Sequence, residues 1–306
     1  MPLSDEDRAL RATGIGSSDI AAIADLDPYR GPTEVWLDKL GLLKRSENTA
    51  QWSGHKMEPV IAEMYAERTG ATLVDGGGSM RHPLHSWAVA TPDRRANPGP
   101  ADIVEIKNVG AFMLRAWWKG GTFEAPIEKV IQAQWQLGVC GGNRVHLAAL
   151  LGGTDFRIFS AERDDEMIGM LLEIAERFWV NHVLTRTPPD DDPDARRMAM
   201  EALYPKANGL LLPRSVEAER LHARLLEVEQ MEATLQAERD TAEAEALALI
   251  GEHNGVDGLF TWNEWRGRID WKAAAEAVGV SEKDAERYRG KPHRVLKLKK
   301  PKEKRK

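Results

Sequence analysis

The sequence predicts an α/β protein: short strands interleaved with amphipathic helices over residues 1–185, a connector over 186–213, and a mainly helical extension over 214–306. Three observations point to it. Short apolar runs of strand length, bounded by Gly and Pro, recur at 71–74, 87–90, 103–106, 144–151 and 154–159. Between them lie longer stretches with apolar residues at helical spacing, at 53–70, 126–140 and 164–184. The string RTPPDDDPDARR at 186–197 is then too rich in Pro and Asp for helix or strand and reads as a linker or strap.

With 306 residues, 42% of them hydrophobic, the chain can bury a full core and still form a second, smaller unit. Cys140 is the only cysteine, which excludes a disulfide framework and a multi-cysteine zinc site and points to a reducing compartment. The acidic N-terminus MPLSDEDRAL has no apolar leader segment and no run approaches 18 apolar residues, so a soluble cytoplasmic protein is expected. The formal charge of -6 is uneven: residues 291–306 carry a local +8, leaving -14 on the rest. Net charge therefore does not argue for DNA binding, although cations focused in a groove still permit it. The basic tail reads equally as a solvated segment or an auxiliary polyanion contact.

In order, RATGIGSSDIAAIAD at 11–25 places Gly14 and Gly16 before a short helix that Ser17, Ser18 or Asp19 can cap. A Gly/Ser turn feeding a helix suits an anion, with simple capping as the alternative. Pro32 opens a second helix, ended by Gly41. The helix SGHKMEPVIAEMYAERTG carries Val60, Ile61, Met64 and Tyr65 as its apolar stripe, and Glu58 borders that stripe, where an acid needs a partner. Pro59 places Glu58 near a first helical turn. The glycines at 76–78 make a turn and, lacking a following Lys-Ser/Thr, no phosphate loop. AFMLRAWWKGG reads as a short helix closed by Gly120 and Gly121, with Trp117 and Trp118 packed in a core or interface, contact with a nucleic-acid end being the alternative. In PIEKVIQAQWQLGVCGG, the stripe of Ile127, Val130, Ile131 and Leu137 includes Gln134, whose amide must be bonded, while Gln132 and Gln136 face elsewhere. Gly152-Gly153 turns a hairpin between 144–151 and 154–159. A helix over 215–250 repeats Leu221, Val228, Leu235, Ala242 and Leu249 at sevens, half of a coiled-coil seam. Beyond it, 260–262 and 268–269 can pair, 294–298 forms a last strand, and Trp262, Trp265 and Trp271 make a small core.

The chemistry centres on WAVATPDRRANPGPADIVEIKN, residues 87–108. A period of two puts Ile103, Glu105 and Lys107 on one strand face and Asp102, Val104 and Ile106 on the other. Asp93 lies just past the strand at 87–90, so a hairpin-like return of that strand can join Asp93 to Glu105. An acid followed by Glu-x-Lys offers hard oxygens to a divalent cation and an ammonium to developing negative charge. An exposed Glu/Lys pair on an edge strand is the other reading.

Taken together, TGIGSSDIAAIADLDPYRGPTEVWLDKLG, the helix around Glu58, TPD with Asp93, EIK with Glu105 and Lys107, and QAQ with Gln134 resemble the YqaJ-like viral recombinase family. These are phage-type alkaline exonucleases, similar to lambda exonuclease, on the restriction-endonuclease-like PD-(D/E)xK fold. The resemblance spans about residues 10–185 and, more loosely, the C-terminal IDWK and RVLKLK strings. It implies a mixed central sheet flanked by helices, and Mg²⁺ or Mn²⁺ held by Asp93, Glu105 and the Ile106 carbonyl, with Glu58 as a further carboxylate. Lys107 would orient the attacking water, and Gln134 would bond into the carboxylate cluster. Arg11, Ser18 and Thr91 would bind a terminal 5′-phosphate. The implied activity is 5′ to 3′ degradation of one strand of linear duplex DNA in phage or prophage recombination within a bacterial host. A single-strand annealing protein is the implied partner and a ring-shaped trimer the implied assembly. Arg94-Arg95 stand where the family usually has Gly, which puts the local turn in question, and Asp102 is a competing ligand on the wrong strand face. An endonuclease with the same site and a DNA-binding module without catalysis are the alternatives.

Overall fold

The computed structural model describes residues 4–43, 48–96, 101–190, 193–264 and 267–290. The chain divides into two compact units, Met1–Tyr204 and Pro205–Lys306. The first begins with helix α1 (Asp5–Ala12), capped by Ser4 accepting from the Asp7 N–H, then α2 (Ile20–Ile23), α3 (Pro32–Lys39) and α4 (Thr49–Thr69), which Gly70 ends with φ +70°. Helix α4 starts earlier than its apolar pattern indicated, so Pro59 lies inside it and not in its first turn. Its buried face is Ile61, Ala62 and Tyr65, while Val60, expected in the stripe, is exposed.

Among the described residues nine short strands follow: β1 (Leu73–Asp75), β2 (Met80–Arg81), β3 (Val89–Ala90), β4 (Arg94–Ala96), β5 (Ile103–Val109), β6 (Trp118–Lys119), β7 (Thr122–Phe123), β8 (Arg144–Leu151) and β9 (Asp155–Glu162). Five build one sheet in the order β1-β4-β5-β8-β9. Only β5 and β8 are parallel, so the sheet is mixed, and helix α6 (Ile127–Cys140) is the crossover that parallel neighbours require. Gly152 and Gly153, both at positive φ, turn the β8–β9 hairpin. The strand alternation read from the sequence holds: Val104 and Ile106 pack on Ile61 and Tyr65 of α4, and Ile103 packs on Ala133 and Leu137 of α6. Helix α7 (Asp165–Phe178) joins α6 on that second face through Ile168 and continues as a π turn, Trp179–Leu184. Helices thus cover both faces of a five-stranded mixed sheet, the expected restriction-endonuclease-like architecture.

Several local expectations are corrected. The hairpin partner of the Glu105 strand is β4, whereas Val89–Ala90 pairs with β2 in a separate ribbon. β5 is central and not an edge, so Glu105 is only 3% exposed. At the end of helix α5 (Leu114–Trp117), Trp117 is buried against Phe159, whereas Trp118 is exposed and meets its ribbon neighbour Phe123 edge-on. The second half of the supposed connector is helix α8 (Pro193–Leu203), whose Ala199 is buried in the cluster that holds Trp36 of α3; Pro193 opens a helix here instead of preventing one.

In the second unit, α9 (Val216–Ile250) is capped by Ser215 and its seam residues Leu221, Leu235 and Leu249 are exposed. Strand β10 (Gly255–Val256), and not 268–269 as the sequence suggests, pairs with β11 (Phe260–Thr261), and α10 spans Trp271–Ala277. Trp262 and Trp271 are 50% and 73% exposed, so they form no core; Trp265, the last strand and the basic tail fall outside the described residues. Among the described residues no helix is long and apolar enough to cross a membrane.

Candidate active site

Strand β4 pairs with β5 only through Arg94↔Val104 and Arg95↔Ile103. One residue further, the chain leaves the ladder, and the Asp93 carboxylate takes over: its Oδ2 accepts from the Ile106 N–H at 2.8 Å. In an extended strand the N–H and C=O of one residue project to the same side, so the Ile106 carbonyl opens onto the gap that Asp93 fills. Glu105, on the opposite face, is held by three donors. Lys107 Nζ and Gln132 Nε2 each lie 2.5 Å from Oε1, and Gln136 Nε2 lies 2.6 Å from Oε2. Burying a carboxylate is costly without such partners, and among the described residues the Gln136 Oε1 itself meets no donor.

The charges are unbalanced. Burial and the nearby Glu105, with a smaller contribution from Glu58, push the Asp93 carboxyl up to about 7 from its ordinary 3.8, despite the counteracting Lys107 and the Ile106 N–H. Burial disfavours the Lys107 ammonium, but Glu105 and Asp93 outweigh it and hold its pKa above the ordinary value, so Lys107 stays charged. Glu58 forms an ion pair with Arg94 at 2.7 Å, and the same Arg94 nitrogen donates to the Asp93 carbonyl at 2.6 Å. Arg94 is thus the partner that Glu58 required, and the Arg in place of Gly serves the site from within. Asp102 is engaged elsewhere, accepting from the N–H groups of Asn143 and Arg144 at the start of β8.

The second group also assembles. Arg11 Nη2 donates to Ser18 Oγ at 3.4 Å, and Arg11 and Thr91 line the same cleft, of about 350 Å³, as Glu58, Asp93 and Arg94. Its placement follows from Gly14, where a Cβ would stand 2.6 Å from the Trp87 carbonyl oxygen; the close approach lets Ile15 exchange backbone hydrogen bonds with Trp87 and Val89. Asp19, buried, accepts from Gly16 N and pairs with Arg30 and Lys39, both at 2.6 Å, and Lys39 donates to the Arg11 carbonyl. Despite burial, those two cations hold the Asp19 carboxyl below its ordinary value. Asp19 is therefore an internal tie for the segment that presents Arg11 and Ser18, and it makes no side-chain cap to α2.

Gln134 is a correction. Its amide bridges the Glu162 carbonyl at 2.6 Å and the Asp164 N–H at 2.9 Å, at the turn from β9 to α7, and does not enter the carboxylate cluster. Gln132 and Gln136, read as facing elsewhere, are the residues at Glu105. Helix α6 is buried on nearly every side, so membership of an apolar stripe could not say which glutamine faces β5.

Residues 8–143 match the YqaJ-like viral recombinase domain. Every candidate residue named above lies inside this span, with α7 and the second unit outside it. The curated YqaJ protein of Bacillus subtilis is 33% identical over 183 residues, 58% of this chain; the chain spans about half, 56%, of that relative's length. Among solved structures, LHK-Exo in complex with dAMP superposes with a TM-score of 0.51 at 20% identity, covering 65% of this chain and 98% of that one. A second structure of LHK-Exo, described as an alkaline exonuclease from Laribacter hongkongensis, gives 0.49 at 21% identity over 65% and 99% of the two chains. At this identity the superposition establishes the fold alone, and the chemistry is argued from this chain's own residues.

Do these residues fit a divalent cation? Among the described residues no three His, Cys, Asp or Glu side chains form a cluster able to hold a metal alone. The fitting donor set is two carboxylates and a carbonyl, with waters and substrate phosphate completing it, which is how Mg²⁺ is commonly bound. Three acids, Asp93, Glu105 and Glu58, face two cations, Lys107 and Arg94, and the Asp93 carboxyl is raised by burial first and by the neighbouring Glu105 and Glu58 next. A carboxylate offers about four lone-pair positions, so Glu105 keeps capacity beyond its three donors. The site fits the ion.

Proposed function

We propose that this chain is a Mg²⁺- or Mn²⁺-dependent deoxyribonuclease that degrades one strand of linear duplex DNA from the 5′ end, in phage or prophage recombination. The observation that carries the reading is the convergence of Asp93 and Glu105 beside the Lys107 ammonium. Asp93, Glu105 and the Ile106 carbonyl would hold the cation, which when bound would supply charge neutralisation at the phosphate and lower the pKa of the attacking water. Lys107, charged and bonded to Glu105, orients the water and stabilises negative charge developing on the phosphoryl oxygens. Gln132 and Gln136 fix the Glu105 carboxylate, and Arg94 holds Glu58 against the site. Arg11, with Ser18 and Thr91 beside it, receives a terminal 5′-phosphate and sets the strand end relative to Asp93. The reading includes an annealing protein as partner and a homo-oligomer around DNA.

The test is purified protein with Mg²⁺ on linear duplexes bearing 5′-phosphate or 5′-hydroxyl, beside a closed circle and Lys107→Ala. Linear phosphorylated DNA is expected to be degraded fastest, the circle to survive, and Lys107→Ala to lose roughly 10²-fold or more while keeping its fold. Circle cleavage would establish an endonuclease. Equal rates on the two ends would defeat the Arg11 pocket, and undiminished activity in Lys107→Ala would remove Lys107 from the mechanism.

A further inference from the structure

Helix α6 returns the chain between the parallel strands β5 and β8, so it runs against them and its N-terminal turns lie over the C-terminal half of β5. Gln136 and Gln132 mark this descent, each bonding Glu105. One turn further, at i−3 from Gln132, stands Lys129, on the helix face that meets Glu105 and within the electrostatic reach of Lys107. Its side chain is 31% exposed, and its ion pair with Glu128 is a loose 4.0 Å. Burial and the like charge of Lys107 push the Lys129 pKa below its ordinary value, against the opposing pull of Glu128, Asp27 and Glu105. A half-buried ammonium near a second ammonium, its pairing with Glu128 no closer than 4.0 Å, is an arrangement that an anion stabilises. Lys129 does not line the cleft that contains Arg11 and Thr91, so a terminal phosphate bound there leaves it unused.

We propose that Lys129 binds a backbone phosphate of the DNA strand next to the phosphate that Lys107 serves, making it a strand-binding residue of this site; the proposal rests on the nuclease reading above. Each phosphate contact contributes about 0.7–0.9 to the slope of log affinity against log salt. The test is binding of a 5′-phosphorylated duplex with a short single-stranded end, in Ca²⁺ so that the strand is not cut, between 50 and 200 mM salt. Lys129→Met is expected to lower the slope by about 0.7–0.9, so that its affinity falls about threefold less than the parent's over that range. Lys129→Arg is expected to restore the parental slope, and unchanged thermal unfolding of both variants confirms the fold. A parental slope in Lys129→Met, with binding itself intact, would overturn the Lys129 contact alone. A parent that neither binds nor cuts DNA would overturn the nuclease reading itself.

Discussion

Replacing Asp93 by Asn tests whether the gathered acids at the centre of the site repel one another when no cation is bound. Asn keeps an oxygen for the Ile106 N–H, so the 2.8 Å bond survives and only the charge is lost. In the unfolded chain the carboxyl ionises near 3.8, in the folded chain near 7, because of burial and Glu105. The folded state therefore holds the proton more tightly, and the stability this contributes is complete below pH 4 and lost as pH rises to about 7. A displacement of that size corresponds to about 4 kcal/mol; Asp93 is partly exposed, and solvent screening leaves about 2 kcal/mol. Urea unfolding in EDTA is expected to find Asp93→Asn more stable than the parent by about that amount at pH 8, with the advantage disappearing by pH 4. Added Mg²⁺ is expected to stabilise the parent at pH 8 and leave the variant unchanged, since an ion that binds only the folded state shifts unfolding by its binding energy. The reasoning fails if the variant is less stable than the parent at pH 8, or if the two share one pH dependence.

The glutamines separate two roles on one helix. Gln132→Ala is expected to lower cleavage roughly tenfold or more by loosening Glu105, whereas Gln134→Ala is expected to cost about 1–3 kcal/mol of stability at the β9–α7 turn with little change in cleavage per folded molecule; the reverse pattern would restore Gln134 to the site. Asp19→Asn removes the counter-charge of Arg30 and Lys39 and is expected to destabilise by about 3–5 kcal/mol in urea, a loss below about 1 kcal/mol being incompatible with a buried tie. The depressed Asp19 carboxyl contributes stability that is present above the unfolded value and lost as pH falls through the lower folded one, so Asp19→Asn is expected to flatten acid unfolding below pH 4.

Much of the site was legible because strand periodicity is rigid: an alternation of two put Glu105 and Lys107 together, and the structure brings them to 2.5 Å. The strand partner was not legible, since 87–90 is the more apolar run, yet β4, built of Arg94, Arg95 and Ala96, pairs with β5. Apolarity marks burial, and β4 is only half-buried. Gln134 was misplaced because α6 is buried on almost all sides, so its facing residues are set by the crossover between β5 and β8 and not by its own pattern. The spacing of Lys129, Gln132 and Gln136 at i, i+3 and i+7 was the available signal for a polar face. In the second unit the sequence suggests a tryptophan core, but Trp262 and Trp271 are exposed: a large apolar side chain favours burial without saying what will cover it.

The central claim is that Asp93 and Glu105 share one hard cation. Electron paramagnetic resonance of Mn²⁺ titrated into the protein at pH 8 addresses it without DNA or turnover. The parent is expected to take up one Mn²⁺, and Asp93→Asn and Glu105→Gln are each expected to weaken that uptake at least tenfold. A parent that binds no Mn²⁺, or either variant binding it as the parent does, would contradict the shared site.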